Sequence, residues 1–287
     1  MNRFFFFLML ASTMLFSCKK KKTADAIPKL MVTGVADTVI IAPSTVLQYT
    51  ASPAGTWSIS SATGGTVDNT GKFTAGAGDG VYTLSIINAL DIKDTVRRMV
   101  IVTKHAAVFN GMKSGGYLLS FRHAAASTGA DQFTSPVPNW WKSCDPALAR
   151  QITDPIGYRQ SDSTGYVMKL MRLPFDTTMT SEYCRCKQTP EYFNLGVPNK
   201  EYQALTYYVY DENNRYANTM ALYASKAVNA KNYISVTHAG YTTAPSPAPM
   251  ATLNWGDCAV FKLVAPGTQP TYVKTITVED WVALARR

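Results

Sequence analysis

Hydrophobic and polar positions divide the chain into three stretches. From Phe4 to Phe16 nearly every residue is apolar, behind a short polar start at Asn2 and Arg3. The run is shorter than the roughly 20 residues a permanent membrane-spanning helix needs, so it predicts a signal peptide over residues 1–17. From Ile27 to Lys104, runs such as Thr38-Val39-Ile40-Ile41 and Val81-Tyr82-Thr83-Leu84-Ser85-Ile86-Ile87 alternate with turn clusters such as Asp68-Asn69-Thr70-Gly71 and Gly76-Ala77-Gly78-Asp79-Gly80. Branched and aromatic side chains fit the pleat of a strand, while glycine, asparagine and aspartate turn the chain. Residues 27–104 are therefore expected to form a small all-β sandwich. Beyond Ala106 the pattern changes. Tyr117-Leu118-Leu119-Ser120-Phe121 and Tyr233-Ile234-Ser235-Val236-Thr237 are continuous and apolar-biased, as in strands covered on both faces. Asp211 to Val228 carries Tyr216, Met220, Tyr223 and Ala227 at helical spacing, and Cys258 to Leu263 is again strand-like. Strands alternating with helices predict an α/β layered domain over 106–287.

The chain has 287 residues, of which 46% are hydrophobic and 16% charged, enough to bury a core and too apolar for long disorder. The formal net charge of +9 includes Arg3 and the four lysines Lys19 to Lys22, which leaves +4 for the folded body. That balance gives no reason to infer nucleic-acid binding. The ending Leu15-Phe16-Ser17-Cys18 resembles a bacterial lipobox, a signal in which the cysteine is lipidated and becomes the new N-terminus. The resemblance implies an exported bacterial lipoprotein anchored through Cys18, at the outer membrane on its periplasmic face or at the cell surface. Residues 18–26 would then form a basic tether that either lies along an anionic membrane or is simply solvated. Of the five cysteines, Cys144, Cys184, Cys186 and Cys258 remain in a compartment where disulfides persist. Cys184 and Cys186 are too close in sequence to bridge each other readily; a bridge from Cys144 to a later cysteine stays open.

The candidate chemistry lies in the histidines, of which the chain has three. Arg122-His123 follows the first buried-strand run and His238 follows the second. Open α/β sheets bind ligands at the carboxyl ends of their strands, so the two histidines are expected at one site. His105, between the two regions, carries no motif and reads as linker. Trp140 and Trp141 read either as a wall of the site's mouth or as packing under a long loop. Tyr241 to Met250, rich in Pro, Ala, Ser and Thr, reads as a rim rather than a helix.

Two family resemblances follow from these residues. Thr56-Trp57-Ser58-Ile59-Ser60, Gly65-Thr66-Val67-Asp68, Gly71-Lys72-Phe73-Thr74-Ala75 and Gly80-Val81-Tyr82-Thr83-Leu84 resemble a bacterial immunoglobulin-like domain. That likeness implies a spacer or adhesion module, open to protein or glycan contact, with Trp57 packed between its sheets. Gly116 to Ala124, with its strand and Arg122-His123 pair, resembles the signature of the histidine phosphatase superfamily, where glycine usually stands in place of Ala124. Ser181-Glu182-Tyr183-Cys184-Arg185-Cys186-Lys187-Gln188-Thr189 resembles the family segment that supplies a second phosphate-binding arginine. Val236-Thr237-His238-Ala239-Gly240 resembles the strand ending in the second histidine. Cys144 to Arg150, Gly157 and Gly165 are similar to the connecting stretch of short bacterial members. Gly256 to Phe261 and Glu279-Asp280-Trp281 resemble their C-terminal strands.

The second resemblance implies a three-layer α/β/α domain and a phosphatase for small phosphorylated substrates, with no cofactor and no metal. Arg122 and Arg185 would grip the phosphate with bidentate hydrogen bonds. His123 would take up the phosphoryl group, and protonated His238 would stabilise the transition state. The leaving oxygen also needs an acid. Asp257 is the first candidate, Asp211 and Glu182 follow, and Asp131 would instead touch substrate. Two other readings are a degenerate domain that binds phosphate or another anion without turnover, and an anchored adhesion or glycan-binding protein that uses the β-sandwich.

Overall fold

The computed structural model describes residues 26–243 and 249–286. The signal peptide over 1–17, Cys18 and the lysines of the tether lie outside the described residues, as does the middle of the Tyr241–Met250 rim.

The first region holds only strands and one short 3₁₀ turn: β1 (Met31–Thr33), β2 (Thr38–Ile41), β3 (Val46–Gln48), β4 (Thr50–Ser52), β5 (Gly55–Ile59), β6 (Gly65–Val67), β7 (Lys72–Ala75), β8 (Gly80–Asn88) and β9 (Asp91–Val102). β2, β9, β8 and β5 form one sheet, β3, β7 and β6 a second, and β1 pairs with β4. Along β8 every second residue is buried: Gly80, Tyr82, Leu84, Ile86 and Asn88. That period of two is what a strand with one covered face requires. Leu84, Val100 and Val102 from the larger sheet pack with Phe73 and Ala75 of the smaller one and with Tyr49. Trp57 is half-buried at the edge of this cluster, its ring 6.1 Å from that of Tyr49.

The second region runs α1 (Ala106–Met112), β10 (Tyr117–Arg122), α2 (Ile156–Leu170), β11 (Phe175–Thr180), α3 (Cys184–Phe193), β12 (Asn199–Glu201), α4 (Arg215–Ala224), β13 (Asn232–Thr237), β14 (Cys258–Lys262), β15 (Thr271–Ile276) and α5 (Val278–Ala285). One six-stranded sheet in the order β12-β11-β13-β10-β14-β15 forms its middle layer. Its first four strands are parallel, and β14 and β15 run antiparallel to their neighbours. Leu119, Phe121, Ile234, Val236 and Val260 pack on one face against residues of α1, α2, α3 and α5. Leu118, Tyr233, Ala259 and Phe261 pack on the other face with Tyr223 of α4. Three layers result, because the central strands are apolar on both faces. The buried hydroxyls are paired as well. Tyr223 links Ser120 of β10 to Ser235 of β13, 2.8 Å from each. α2 and α3 approach closely at Gly165, where a Cβ would fall 2.1 Å from the carbonyl oxygen of Phe193.

Three expectations change. His105 is a buried tie, not a linker. It is 3% exposed, and its Nε2 lies 2.9 Å from Asp280 of α5, whose other oxygen meets Lys104 at 2.6 Å. Ile40 and Ile101 of the β region also join the apolar cluster of Phe109, Met112 and Trp281, so the two regions share a core. The helix expected over 211–228 is shorter. Asp211 caps a 3₁₀ turn at Glu212–Asn214 and the α-helix ends at Ala224, which leaves Ala227 outside it. Glu279-Asp280-Trp281 lie in α5 rather than a strand. Thr277 and Asp280 form a capping box, which satisfies the first free N–H groups of a helix.

Candidate active site

β10 and β13 lie side by side and parallel, with Arg122 opposite Thr237. The next residue on each strand, His123 and His238, leaves the sheet at the same level, and the two ring centroids stand 5.1 Å apart. β11 ends beside them, and Arg185 follows as the second residue of α3. The N–H groups at that helix end add partial positive charge. Arg122, His123, Arg185 and His238 line one cavity of about 200 Å³ together with Asp131, Arg150, Tyr207 and Trp255.

Hydrogen bonds assign the protons. The Ala124 carbonyl only accepts, so the His123 proton sits on Nδ1, 2.8 Å away. Nε2 of His123 then keeps its lone pair and receives the Nε–H of Arg185 at 3.2 Å. Arginine only donates, so Nδ1 of His238, 3.4 Å from an Arg185 terminal nitrogen, is also a lone-pair atom. The opposite nitrogen of His238 lies 3.0 Å from Ser181 Oγ and 3.3 Å from Cys186 Sγ. Thr189 fastens α3 to the strand end, donating to the Arg185 carbonyl at 2.8 Å and accepting the Ala124 N–H at 3.1 Å.

Arg185 presents two edges of its guanidinium. The Nε–H and one terminal N–H face the histidines. The two terminal nitrogens together face Asp131, at 2.8 and 3.0 Å, in a bidentate pair. Asp131 also accepts the backbone N–H of Arg150 at 2.9 Å. A disulfide joins Cys144 to Cys184, so the loop that carries Asp131 and Arg150 is tied to the neighbour of Arg185. Cys186 and Cys258 are free buried thiols, and burial pushes Cys186 up to about 12. Arg122 donates to the Leu253 carbonyl at 2.9 Å and lies over the Trp255 ring.

Burial, then the charge of Arg185, holds His123 well below its usual range, with Arg122 and Arg150 adding to the effect. Burial, Arg185, His123, Arg215 and Arg122 do the same to His238. Two neutral imidazoles thus stand among three arginines, with Asp131 the one carboxylate on the lining among the described residues. That excess of positive charge in a small, partly enclosed space suits an anion. Among the described residues, the one grouping with metal-type ligands is Asp79, His105 and Asp280 at the junction of the two regions, where Lys104 already neutralises Asp280.

Comparison with known proteins gives structural likeness alone. No family model matches the chain, and no curated protein matches it. The chain is similar to the protein histidine phosphatase SixA complexed with tungstate, at 18% identity over 57% of this chain and 98% of that one, with a TM-score of 0.42. It is also similar to the product of open reading frame Rv3214 of Mycobacterium tuberculosis, at 13% identity over 56% and 98% of the two chains, with a TM-score of 0.40. A third similar structure is phosphoserine phosphatase from Entamoeba histolytica in complex with 3-phosphoglyceric acid, at 10% identity over 57% and 98%, with a TM-score of 0.36.

The candidate acids do not assemble as expected. Asp257 is 3% exposed, and its two oxygens accept the backbone N–H groups of Asn254 and Val278 at 3.0 and 2.9 Å. It is absent from the cavity lining and braces the turn into β14. Glu182 receives Trp141 Nε1–H, Tyr210 O–H and Lys142 at 2.7 to 3.0 Å. Burial opposes its charge, yet those bonds together hold it below the usual carboxylate range, which makes it a poor proton donor. Asp211 caps its turn in solvent. Asp131 does reach the cavity but is paired with Arg185. Trp140 is packed on Tyr183 and Phe133, and neither Trp140 nor Trp141 lines the cavity. Arg150, Tyr207 and Trp255 join the lining although nothing in their sequence neighbourhoods marks them; Arg150 alone fell within a stretch of family likeness.

The histidines set an acid limit on stability. Unfolded, each takes a proton near pH 6.5. Folded, His105, His123 and His238 are all lowered, chiefly by burial. Below pH 6.5 the unfolded chain therefore binds more protons, and stability falls with falling pH. Asp280, held down to about 2 against the effect of burial by bonds from Lys104, His105 and Thr277, stays ionised through this window. The thermal midpoint followed by circular dichroism is expected to drop steadily from pH 7 to pH 5. A flat or rising midpoint would contradict the neutral, buried histidines.

Proposed function

We propose that this chain is a phosphomonoesterase that works through a phosphohistidine on His123. One observation carries the reading: Nε2 of His123 is a neutral lone-pair nitrogen, beside Arg122, Arg150 and Arg185 in one cavity. A phosphate monoester enters with its oxygens on the arginines and takes over the Arg185 N–H groups now turned towards the two histidines, which frees the Nε2 lone pair of His123. Nε2 attacks phosphorus in line, the N–P bond forms, the ester O–P bond breaks, and the leaving oxygen takes its proton from water. A second water then attacks phosphorus, breaks the N–P bond and releases inorganic phosphate. His238 accepts a proton at Nδ1 once the anion cancels the local positive charge, and it then donates a hydrogen bond to a phosphoryl oxygen. The arginines supply the charge stabilisation that loose phosphoryl transfer requires.

Asp131 acts here as a positioning residue. By taking the end of the Arg185 guanidinium it aims the Nε–H edge at the place between the two histidines. The same reading places the enzyme outside the cytoplasm, held at the membrane by lipid on Cys18. The β region would then act as a spacer of immunoglobulin-like type. Support comes from the leader pattern and the disulfide, a bond that persists outside the reducing cytosol.

Three measurements test this reading. With an aryl phosphate as substrate, His123→Ala is expected to lower kcat at least about 1,000-fold, and wild type quenched in alkali should carry acid-labile phosphate. Binding of phosphate without hydrolysis by the wild type would make the protein an anion-binding one instead. Asp131→Ala is expected to lower kcat by roughly tenfold to a hundredfold through loss of aim, without raising KM, because it removes a negative charge. A rise in KM at constant kcat would refute the positioning role. Finally, metabolic labelling with a fatty acid is expected to mark the protein in bacteria and to fail in Cys18→Ser.

A further inference from the structure

The phosphate cavity is small, and what lies outside it is built. The cavity of about 200 Å³ takes the phosphoryl group at the arginines, and a leaving group attached to it extends towards the rim. On one side that rim is aromatic. Tyr207 lines the cavity, with its ring 5.4 Å from that of His238. Tyr208 stands beside it at 5.2 Å, and Phe133, two residues from Asp131, meets Tyr208 at 5.7 Å and Tyr207 at 6.4 Å. Phe133 is 49% exposed and Tyr208 60% exposed.

The platform is held in place against a backbone cost. Tyr208 has φ +60°, a left-handed conformation that bulky residues rarely adopt. Its N–H is fixed by Glu212 at 2.9 Å, and Glu212 is fixed by both its oxygens to Nε of Arg215. Arg215, 2% exposed, lies over the Tyr207 ring and donates to the His238 carbonyl at 3.4 Å. One chain of contacts therefore sets the aromatic rings in register with the second histidine.

We propose that this platform is the subsite for an aromatic leaving group, so that the preferred substrates are phosphate esters of phenol type. The inference rests on the phosphomonoesterase reading and narrows it. One further feature selects an aryl group over a sugar or an alkyl chain. Among the described residues, the only carboxylate on the cavity lining is bound through both oxygens to Arg185, so none of them stands ready as a free acid for the leaving oxygen. A phenoxide, with a conjugate acid near pKa 10, departs without that proton far more readily than an alkoxide does.

The test compares phenylphosphonate with methylphosphonate by calorimetry, and phenyl phosphate with glycerol phosphate by turnover, on the full-length protein, Phe133→Ala and Tyr208→Asn. Asparagine tolerates the left-handed backbone, so that variant keeps the loop. Wild type is expected to bind phenylphosphonate at least about tenfold more tightly than methylphosphonate and to favour phenyl phosphate in kcat/KM. Each variant should reduce the phenyl advantage by about threefold to tenfold while methylphosphonate binds as before. Equal affinity for both phosphonates in wild type, or an unchanged phenyl advantage in both variants, overturns the subsite. Turnover separates the two claims: a phenyl preference in binding with no hydrolysis of either ester keeps the subsite and removes the catalytic reading. Hydrolysis with no aryl preference does the reverse.

Discussion

Arg185 commits all of its N–H groups inside the protein. Nε–H goes to His123, one terminal nitrogen to Asp131 and the Arg150 carbonyl, and the other to Asp131 and His238. Arg185 is 3% exposed, and a buried guanidinium is tolerated only when its charge and its donors are met. Each partner comes from a different part of the chain: the end of β10, the loop between β10 and α2, and the end of β13. The cavity is thus assembled around one cation, and burial together with its charge keeps both imidazoles neutral. Satisfying Arg185 and preparing His123 are the same arrangement seen from two sides.

The sheet provides the level on which this arrangement stands. Parallel pairing of β10 with β13 brings two strand ends together that are more than a hundred residues apart in sequence. Both faces of those strands are covered, so neither can slip without exposing apolar side chains or breaking the Ser120-Tyr223-Ser235 bridge. The disulfide and Thr189 then fasten the loop and helix that bear the remaining groups. At the far side, His105 and Asp280 close the seam with the β region, and the shared cluster of Ile40, Ile101 and Phe109 makes that seam part of the core.

Much of this plan was legible in the residues. The two buried strands, the short strands of the first region and the placement of His123 and His238 at strand ends followed from periodicity alone. Arg185 was reached through family likeness, since an arginine between two cysteines has no distinctive pattern of its own. The part each carboxylate plays is not legible in the sequence, for a physical reason. A carboxylate's role depends on what its oxygens accept, and Asp257 accepts backbone N–H groups from residues 254 and 278, which sequence order does not bring together. The tie made by His105 is hidden for a similar reason, because its partner Asp280 lies 175 residues away. The helical reading beyond Ala224 failed because spacing continued past the point where the chain turns towards β13.

By itself the sequence determined that short strands fill the first region, that two strands of the second are apolar on both faces, and that two histidines leave the sheet at strand ends. Those properties are local: side-chain branching, period and turn chemistry act within a few residues. Only the tertiary structure decided that Asp131 grips Arg185, that Cys144 bridges to Cys184, that Asp257 braces a turn and that Arg150 and Trp255 complete the cavity. It also set Phe133 beside Tyr207 and Tyr208. These depend on which atoms meet across loops of tens of residues, and no local preference encodes a hydrogen bond between groups that only the packed sheet brings within 3 Å.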